Sequence, residues 1–198
     1  MSHIANVRPF LTTALSKEEV LYGCDILKKQ YNITRRISYI EYKDFDIFVD
    51  ALVNGTILLI HIPNNMVIGP GVSGHLICMY KEHGVIYLFD STNNVDELKC
   101  PKLFTITPIA YVLNHRIQKP NSFGCANYCM LALLHINGNI DILQELQFQH
   151  PNIRQYFEDT EAYVHYFTTT HKIGEEYMAI NKHTFPCLQG SLFYGNKT

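Results

Sequence analysis

The spacing of apolar residues is helical in the first quarter of the chain. Ser16 followed by Glu19 forms a capping box, and the apolar residues after it recur at helical spacing, so we predict a helix over about 17–30. Apolar residues at the same spacing within 45–52 predict a second helix, ended by an Asn-Gly pair. The pattern of the segment 35–40 between them does not distinguish a helix from a strand.

The middle of the chain changes to β-branched and apolar runs separated by loops rich in Gly, Pro and Asn. Such runs are typical of buried strands. They predict five strands, at 56–62, 75–80, 85–89, 103–107 and 114–118. A tight turn at Glu82-His83-Gly84 joins the second and third of these strands into a hairpin that ends at Asp90.

The last third is again helical. From Cys125 to Ile136 nearly every residue is apolar, which predicts a helix buried on all faces, stopped by Asn137-Gly138. Amphipathic spacing predicts more helix over about 140–173, and the final 25 residues look irregular. The order of helix, strands, buried helix and further helices predicts an α+β fold. No linker-like segment divides the chain, so we expect a single domain over 1–198.

Composition narrows the class of protein. With 198 residues, 47% of them apolar, and a net charge of −2, the chain suits a globular protein and not one that coats nucleic acid. Its six cysteines include no Cys-x-x-Cys pair, so the usual zinc-ribbon and thioredoxin spacings are missing. Neither a signal peptide nor an apolar run of membrane-spanning length occurs. We expect free thiols in a reducing compartment, no membrane partner, and neither a metal nor another cofactor.

Cys125 is the first candidate for chemistry. It begins the predicted buried helix, where the positive end of the helix dipole lowers a thiol pKa and favours the reactive thiolate. Gly124 before it allows a sharp turn and a close approach by substrate. The structural alternative is a small core residue, since free Cys is among the most buried residue types. That alternative explains Cys129, one turn later, better than a functional role does.

Two further candidates lie at one end of the predicted hairpin. His75 begins a strand after a Gly-rich loop, where it can act as a general base toward a thiol. Asp90 ends the returning strand, and counting from the turn makes the two near-opposite neighbours. An aspartate in that place can orient the histidine through its other ring nitrogen. The alternatives are a structural histidine and a turn-favouring aspartate.

Gln118 precedes Cys125 by seven residues, and its amide can donate to a developing oxyanion beside the Cys125 N–H.

The spacing of residues argues against other types of site. Cys125 and Cys129 lack further ligands to complete a metal site. Neither a phosphate-binding Gly-x-x-x-x-Gly-Lys-Ser/Thr loop nor the Gly-x-Ser-x-Gly elbow of serine hydrolases occurs.

Together, these residues resemble adenain, the adenovirus-type maturation protease, and the wider class with virophage and Polinton maturation proteases and SUMO-deconjugating proteases. The resemblance spans about 75–130. It rests on the stretch Gln-Lys-Pro-Asn-Ser-Phe-Gly-Cys-Ala-Asn-Tyr-Cys-Met beginning at Gln118, on Gly74-His75, and on Tyr-Leu-Phe ending at Asp90. Three departures stand out: the chain has Leu76 where the family usually has Trp, Ala126 where it has Gly, and Gly124 where SUMO proteases have Asp.

The resemblance implies a role for each matched residue. Cys125 matches the nucleophile, His75 the base, Asp90 the acid that orients it, and Gln118 the oxyanion-hole side chain. It also implies the fold, a central mixed β-sheet flanked by helices, with the buried helix carrying the nucleophilic cysteine at its N-terminus.

The resemblance further implies a cysteine endopeptidase that processes viral capsid precursors during virion maturation, near Gly-Gly or Gly-x-Gly sites. Its place would be the virion and the host cytoplasm or virus factory, and we expect a monomer. The net charge argues against the DNA cofactor of adenain, and Cys100 does not match the cysteine that binds adenain's peptide activator, which leaves a peptide activator open. Two alternatives stay open: a deconjugating protease for a ubiquitin-like modifier, and a non-catalytic capsid-associated protein of the same fold.

Overall fold

The computed structural model describes residues 14–50, 52–53, 55–66, 74–93, 100–106, 109–146 and 152–171. The helices and strands of these residues follow in the order α1 (Lys17–Tyr31), β1 (Arg36–Glu41), α2 (Phe45–Asp50), β2 (Thr56–Ile62), β3 (His75–Glu82), β4 (Val85–Phe89), β5 (Ile109–Tyr111), α3 (Cys125–Ile136), α4 (Ile142–Glu145) and α5 (Ile153–Thr170). Short 3₁₀ helices cover Tyr42–Asp44, Asn64–Met66 and Pro101–Thr105. This mixture of helices and strands is compatible with the predicted α+β class.

The five strands form one mixed sheet in the order β1-β2-β3-β4-β5. The pairs β1–β2 and β4–β5 are parallel, whereas β2–β3 and β3–β4 are antiparallel. The central strands β2 and β3 are buried along most of their length. Both faces of these strands are therefore covered, which explains why β2 is an almost continuous apolar run from Ile57 to Ile62, interrupted at His61, with no alternation of polar residues.

A hydrophobic core lies on each face of the sheet. The core on one face combines sheet side chains such as Leu59, Cys78 and Phe89 with residues of α1, α3 and α5, and α3 is the helix that contacts β3. On the other face, residues from α2 and the neighbouring 3₁₀ helices cover side chains such as Ile60 and Met79. The predicted sheet flanked by helices is thus observed.

The local signals in the sequence explain the first helix and the hairpin. Ser16 and Glu19 cap α1 reciprocally: the Glu19 N–H donates to the Ser16 hydroxyl, and the Ser16 N–H donates to the Glu19 carboxylate at 2.7 Å. The β3–β4 hairpin turns at His83 and Gly84, which have φ values of +50° and +82°. Two consecutive positive φ values define the type I′ turn that matches strand twist.

Helix α3 is confirmed with the predicted bounds. It begins at Cys125, ends at Ile136, and its residues from Ala126 to Leu134 are all buried. It packs against β3 and lies between α1 and α5. The first residue of this helix is thereby held beside the first residue of β3.

Two predicted strands are wrong. The segment predicted as a strand at 103–107 is a 3₁₀ helix as far as residue 105, because Pro101 at its first position fixes a φ suited to a helical turn. The segment 114–118 forms no strand, since the N–H groups of Ile117 and Gln118 both donate to the Ser91 carbonyl. The ambiguous segment 35–40 is strand β1, and the second helix stops at Asp50.

The region predicted as helix over 140–173 contains α4 and α5. Most of the Gly-rich loop before His75 and the final 27 residues lie outside the described residues. Among the residues described, no helix is long and apolar enough to cross a membrane. The five cysteines in those residues are all free thiols: Cys24, Cys78, Cys100, Cys125 and Cys129.

Candidate active site

The four predicted site residues come from the ends of three elements and one loop. His75 begins β3, Asp90 follows the last residue of β4, and Cys125 begins α3. Gln118 lies in the loop before α3. Because β3 and β4 are antiparallel, the start of one and the end of the other lie at the same edge of the sheet.

His75 and Asp90 form a buried pair. The Nε2 of His75 and the Oδ1 of Asp90 are 2.7 Å apart, and both side chains are at most 5% exposed. The register of β3 with β4 ends at the pair Cys78–Phe89, so Asp90, one residue after β4, and His75, the first residue of β3, lie at the same end of the hairpin. The two side chains meet at this end of the hairpin, as the count from the turn predicts.

Asp90 is held in an Asx turn. Its Oδ1 accepts hydrogen bonds from the Thr92 N–H at 2.9 Å and from the Thr92 hydroxyl at 2.7 Å. Burial by itself raises the pKa of the Asp90 carboxyl, but the hydrogen bond and charge of His75, together with the Thr92 bonds, hold that pKa below its ordinary value. Asp90 therefore stays a carboxylate in this buried place.

The Cys125 thiol is the second hydrogen-bond partner of the His75 side chain. Burial raises the pKa of the Cys125 thiol, but the hydrogen bond and charge of His75 outweigh burial, and the backbone N–H groups of Leu76 and Ala126 add to their effect. The net result is a Cys125 pKa below the ordinary 9.0. Since Asp90 occupies Nε2 of His75, Nδ1 is the nitrogen left for the thiol.

The His75 pKa moves in the opposite direction. Burial lowers the pKa of the imidazole, but the hydrogen bond and charge of Asp90, followed by those of Cys125, raise it to about 10. A lowered thiol pKa beside a raised imidazole pKa favours a thiolate–imidazolium pair at neutral pH.

Cys125 differs from the other described cysteines. Burial raises the pKa of the Cys24 thiol to about 12 and that of the Cys100 thiol to about 11, and it raises the pKa of Cys78 and Cys129 as well. These four side chains are buried, whereas Cys125 is half-buried. Among the thiols the structure describes, only Cys125 combines access with a lowered pKa.

Gln118 is fixed by hydrogen bonds at both ends of its amide. Its Oε1 accepts from the Ser91 hydroxyl at 2.6 Å, and its Nε2 donates to the Ser122 carbonyl at 2.7 Å. The loop between them turns at Asn121, with φ +63°, after Pro120, the pattern of a type II turn. This turn folds the chain back, so that Gln118 and Ser122 meet just before Cys125.

Gly74, directly before His75 in the chain, lies in close contact with His61 and Ile62 of β2. Its φ is +105°, and a Cβ at this position would lie 2.6 Å from Nε2 of His61 and 2.9 Å from the Ile62 carbonyl oxygen. His61 is in turn held by Glu41, with 2.8 Å between Nδ1 and the carboxylate, and it stacks on Tyr39. Only glycine fits between this group and the catalytic candidate His75.

Gly74→Ala is therefore expected to destabilise the fold by about 1–3 kcal/mol, from strain at a positive φ together with the clash against His61 and the Ile62 carbonyl. Gly55→Ala is the matched control, because Gly55 has φ +85° and nothing within 4 Å of the added Cβ. Urea unfolding of both variants separates the two effects. Equal losses of stability would show that the close contact around Gly74 has no cost of its own.

Thr92 is a partner of Asp90 that the sequence did not reveal. Both the N–H and the hydroxyl of Thr92 donate hydrogen bonds to the Asp90 carboxylate. An Asp-x-Thr spacing at a strand end is the only available signal. Within the described part of the chain, no group of three or more His, Cys, Asp or Glu side chains is placed to hold a metal ion.

The arrangement has the parts needed for acyl transfer by a thiol: an accessible thiolate, an imidazolium held by a carboxylate, and an amide donor next to the loop before the helix. Comparisons of this chain with models of protein families and with curated protein sequences give no match.

Proposed function

We propose that the chain is a cysteine endopeptidase that uses Cys125 as nucleophile, His75 as acid and base, Asp90 as orienting acid and Gln118 in the oxyanion hole. The observation that carries the proposal is the position of His75, whose ring lies between a buried carboxylate and the thiol of Cys125. A histidine placed only for packing does not need both partners, and the opposite pKa shifts of Cys125 and His75 are what thiol catalysis requires.

In the proposed reaction, the Cys125 thiolate attacks the carbonyl carbon of a peptide bond. The electron pair of the C=O bond moves to the oxygen, where an N–H of Gln118 and the backbone N–H of Cys125 stabilise the charge. The His75 imidazolium gives its proton to the departing amine, and a thioester to Cys125 remains. A water molecule, deprotonated by neutral His75, then hydrolyses the thioester and releases the acid product.

The substrate class follows from the resemblance to adenain-like maturation proteases. The stretch from Gln118 through Cys125 resembles that family, and Gly124 differs from the aspartate of SUMO proteases, which favours the viral branch. We therefore propose that the enzyme cleaves capsid precursors during virion maturation, near Gly-Gly or Gly-x-Gly sites, in the virion or the virus factory. The proposed adenain-like fold is supported by a mixed sheet with Cys125 at the start of a buried helix.

A direct test is to trap the proposed thioester. The protein is mixed with a capsid precursor containing a Gly-Gly or Gly-x-Gly site, quenched in acid within the first turnovers, and analysed by intact mass. The expected result is an acyl adduct on Cys125 that hydroxylamine removes, together with cleavage at glycine. An adduct elsewhere in the chain, or cleavage with no dependence on Cys125, would contradict the proposal.

The same assay separates the deconjugating alternative. A ubiquitin-like protein fused through its Gly-Gly end to a reporter is offered in parallel with the capsid precursor. We expect processing of the precursor and at most slow release of the reporter. Faster cleavage of the fusion would move the assignment to a deconjugating protease, and no thioester with either substrate would favour a non-catalytic role.

A further inference from the structure

Ser91 is fully buried and lies between two residues of the site, Asp90 and Thr92. Its carbonyl oxygen accepts two backbone hydrogen bonds, from the N–H of Ile117 at 3.0 Å and from the N–H of Gln118 at 2.9 Å. Its hydroxyl donates to Oε1 of Gln118 at 2.6 Å. A single residue next to Asp90 therefore holds both the backbone and the side chain of Gln118.

These hydrogen bonds leave one orientation for the Gln118 amide. The Ser122 carbonyl oxygen can only accept, so the nitrogen of the amide must face it, at 2.7 Å. Oε1 then faces Ser91, and the Ser91 hydroxyl must be the donor. The nitrogen carries two hydrogens and the bond to Ser122 uses one, so the second N–H is the one available to an oxyanion.

We propose that Ser91 is a positioning residue that fixes the Gln118 amide with its N–H toward the oxyanion. This proposal rests on the proposed function, since an oxyanion forms only if Cys125 attacks a carbonyl. Ser91 itself forms no bond to substrate and transfers no proton. Without its hydroxyl, the amide oxygen loses its hydrogen-bond donor and only the bond from the nitrogen to the Ser122 carbonyl remains, so the amide is held less firmly and its donor is presented for a smaller fraction of the time.

Two electrophiles separate this role from a general structural one. p-Nitrophenyl acetate acylates a thiolate through a tetrahedral oxyanion: the C–S bond forms, the carbonyl electron pair moves to oxygen, and p-nitrophenolate leaves as the C=O bond returns. Iodoacetamide alkylates the same thiolate by direct displacement of iodide, with no oxyanion. A defect in the oxyanion hole slows the first reaction only, whereas a defect in the thiolate or the fold slows both.

The expected result is that Ser91→Ala slows acylation of Cys125 by about tenfold while the alkylation rate stays unchanged. Gln118→Ala, which removes the donor itself, is expected to slow acylation by about 10²–10³-fold, the usual cost of an oxyanion-hole donor. Because Ser91 acts through Gln118, Ser91→Ala is expected to add nothing in a Gln118→Ala background. Rates are measured with Cys125→Ala as the blank.

Thr160→Val is the matched control for loss of a buried hydroxyl. Thr160 is fully buried, and its hydroxyl donates to the Tyr156 carbonyl at 2.8 Å within α5. We expect this variant to keep the wild-type rates with both electrophiles. Gln118→Met is the second variant, because it keeps the length of the side chain and removes the amide donor without adding a charge near the thiolate, so it is expected to lose acylation without losing alkylation.

Three results would overturn the proposal. An equal loss of acylation and alkylation in Ser91→Ala would assign the residue to the fold or the thiolate. A full tenfold effect of Ser91→Ala in the Gln118→Ala background would show that it acts independently of the amide. A wild-type rate of acylation in Ser91→Ala would remove the role altogether, and in all three cases the proposed protease still stands.

If the wild-type protein is alkylated at Cys125 but not acylated there, the proposed function fails first and Ser91 loses its role with it.

Discussion

Cys125→Ala is expected to abolish peptide-bond cleavage, lowering the rate by about 10⁴-fold or more, the scale on which loss of an enzyme's nucleophile acts. The same change is expected to remove fast labelling by iodoacetamide at neutral pH. The physical reason is that Cys125 is half-buried with a lowered pKa, whereas burial raises the pKa of the four other described thiols. Intact mass after labelling and a gel assay of precursor cleavage measure the two effects.

The fold of Cys125→Ala is expected to survive, with a melting temperature close to that of the wild type, because the side chain is half-buried at the first position of α3. Cys24→Ala is the matched control: it also removes one thiol, but a buried one in α1 with a pKa raised to about 12. This control is expected to keep both cleavage and labelling. Precursor processing by Cys125→Ala, or unchanged labelling at neutral pH, would contradict the assignment of the nucleophile.

The parts of the fold that could be predicted from sequence are those that local interactions determine. The capping box at Ser16, the tight turn at Glu82-His83-Gly84 and the apolar helix after Gly124 each act within a few residues, and each is observed. Of the two wrong strands, 103–107 fails because of a nearby residue, Pro101, whereas 114–118 lies where a distant group decides the backbone. Ile117 is an example, because its N–H pairs with the Ser91 carbonyl, 26 residues earlier in the chain.

The candidate site also has a part that could be predicted from sequence and a part that could not. Cys125, His75 and Asp90 could be predicted from sequence because each lies at or next to the end of a predicted helix or strand. The hairpin turn also predicts that His75 and Asp90 are neighbours. The hydrogen bonds that fix Gln118 could not be predicted, since they depend on how the loop after β4 meets the loop before α3. Sheet order was not predictable either, because the parallel pairing of β1 with β2 joins strands separated by a helix.

His75→Ala is expected to slow alkylation of Cys125 at neutral pH by about 10²-fold or more and to abolish cleavage. Burial raises the Cys125 pKa, and the hydrogen bond and charge of His75 do most to lower it, so we expect this pKa to rise to 9.0 or above in the variant. On the order of 1% or less of such a thiol is ionised at pH 7. Alkylation of the variant should therefore recover only at alkaline pH, which a rate profile from pH 5 to 10.5 would reveal.

The two assays are expected to differ at high pH in the wild-type protein. Cleavage needs the His75 imidazolium as proton donor, and its pKa is raised to about 10, so cleavage should fall as the pH rises through that value. Alkylation needs only the thiolate and should stay high. His135→Ala, at the other end of α3, is the matched histidine control and is expected to leave both profiles unchanged.

Asp90→Asn tests the source of the raised His75 pKa. Asparagine keeps the shape of the side chain and an oxygen that can accept from His75 and Thr92, but it removes the charge that raises the His75 pKa. The pH at which cleavage falls should therefore be lower in this variant. The maximal rate of cleavage should drop by about 10²–10⁴-fold, as expected when a triad acid loses its charge. An unchanged pH limit in Asp90→Asn would show that His75 does not depend on the carboxylate, and the orienting role of Asp90 would have to be withdrawn.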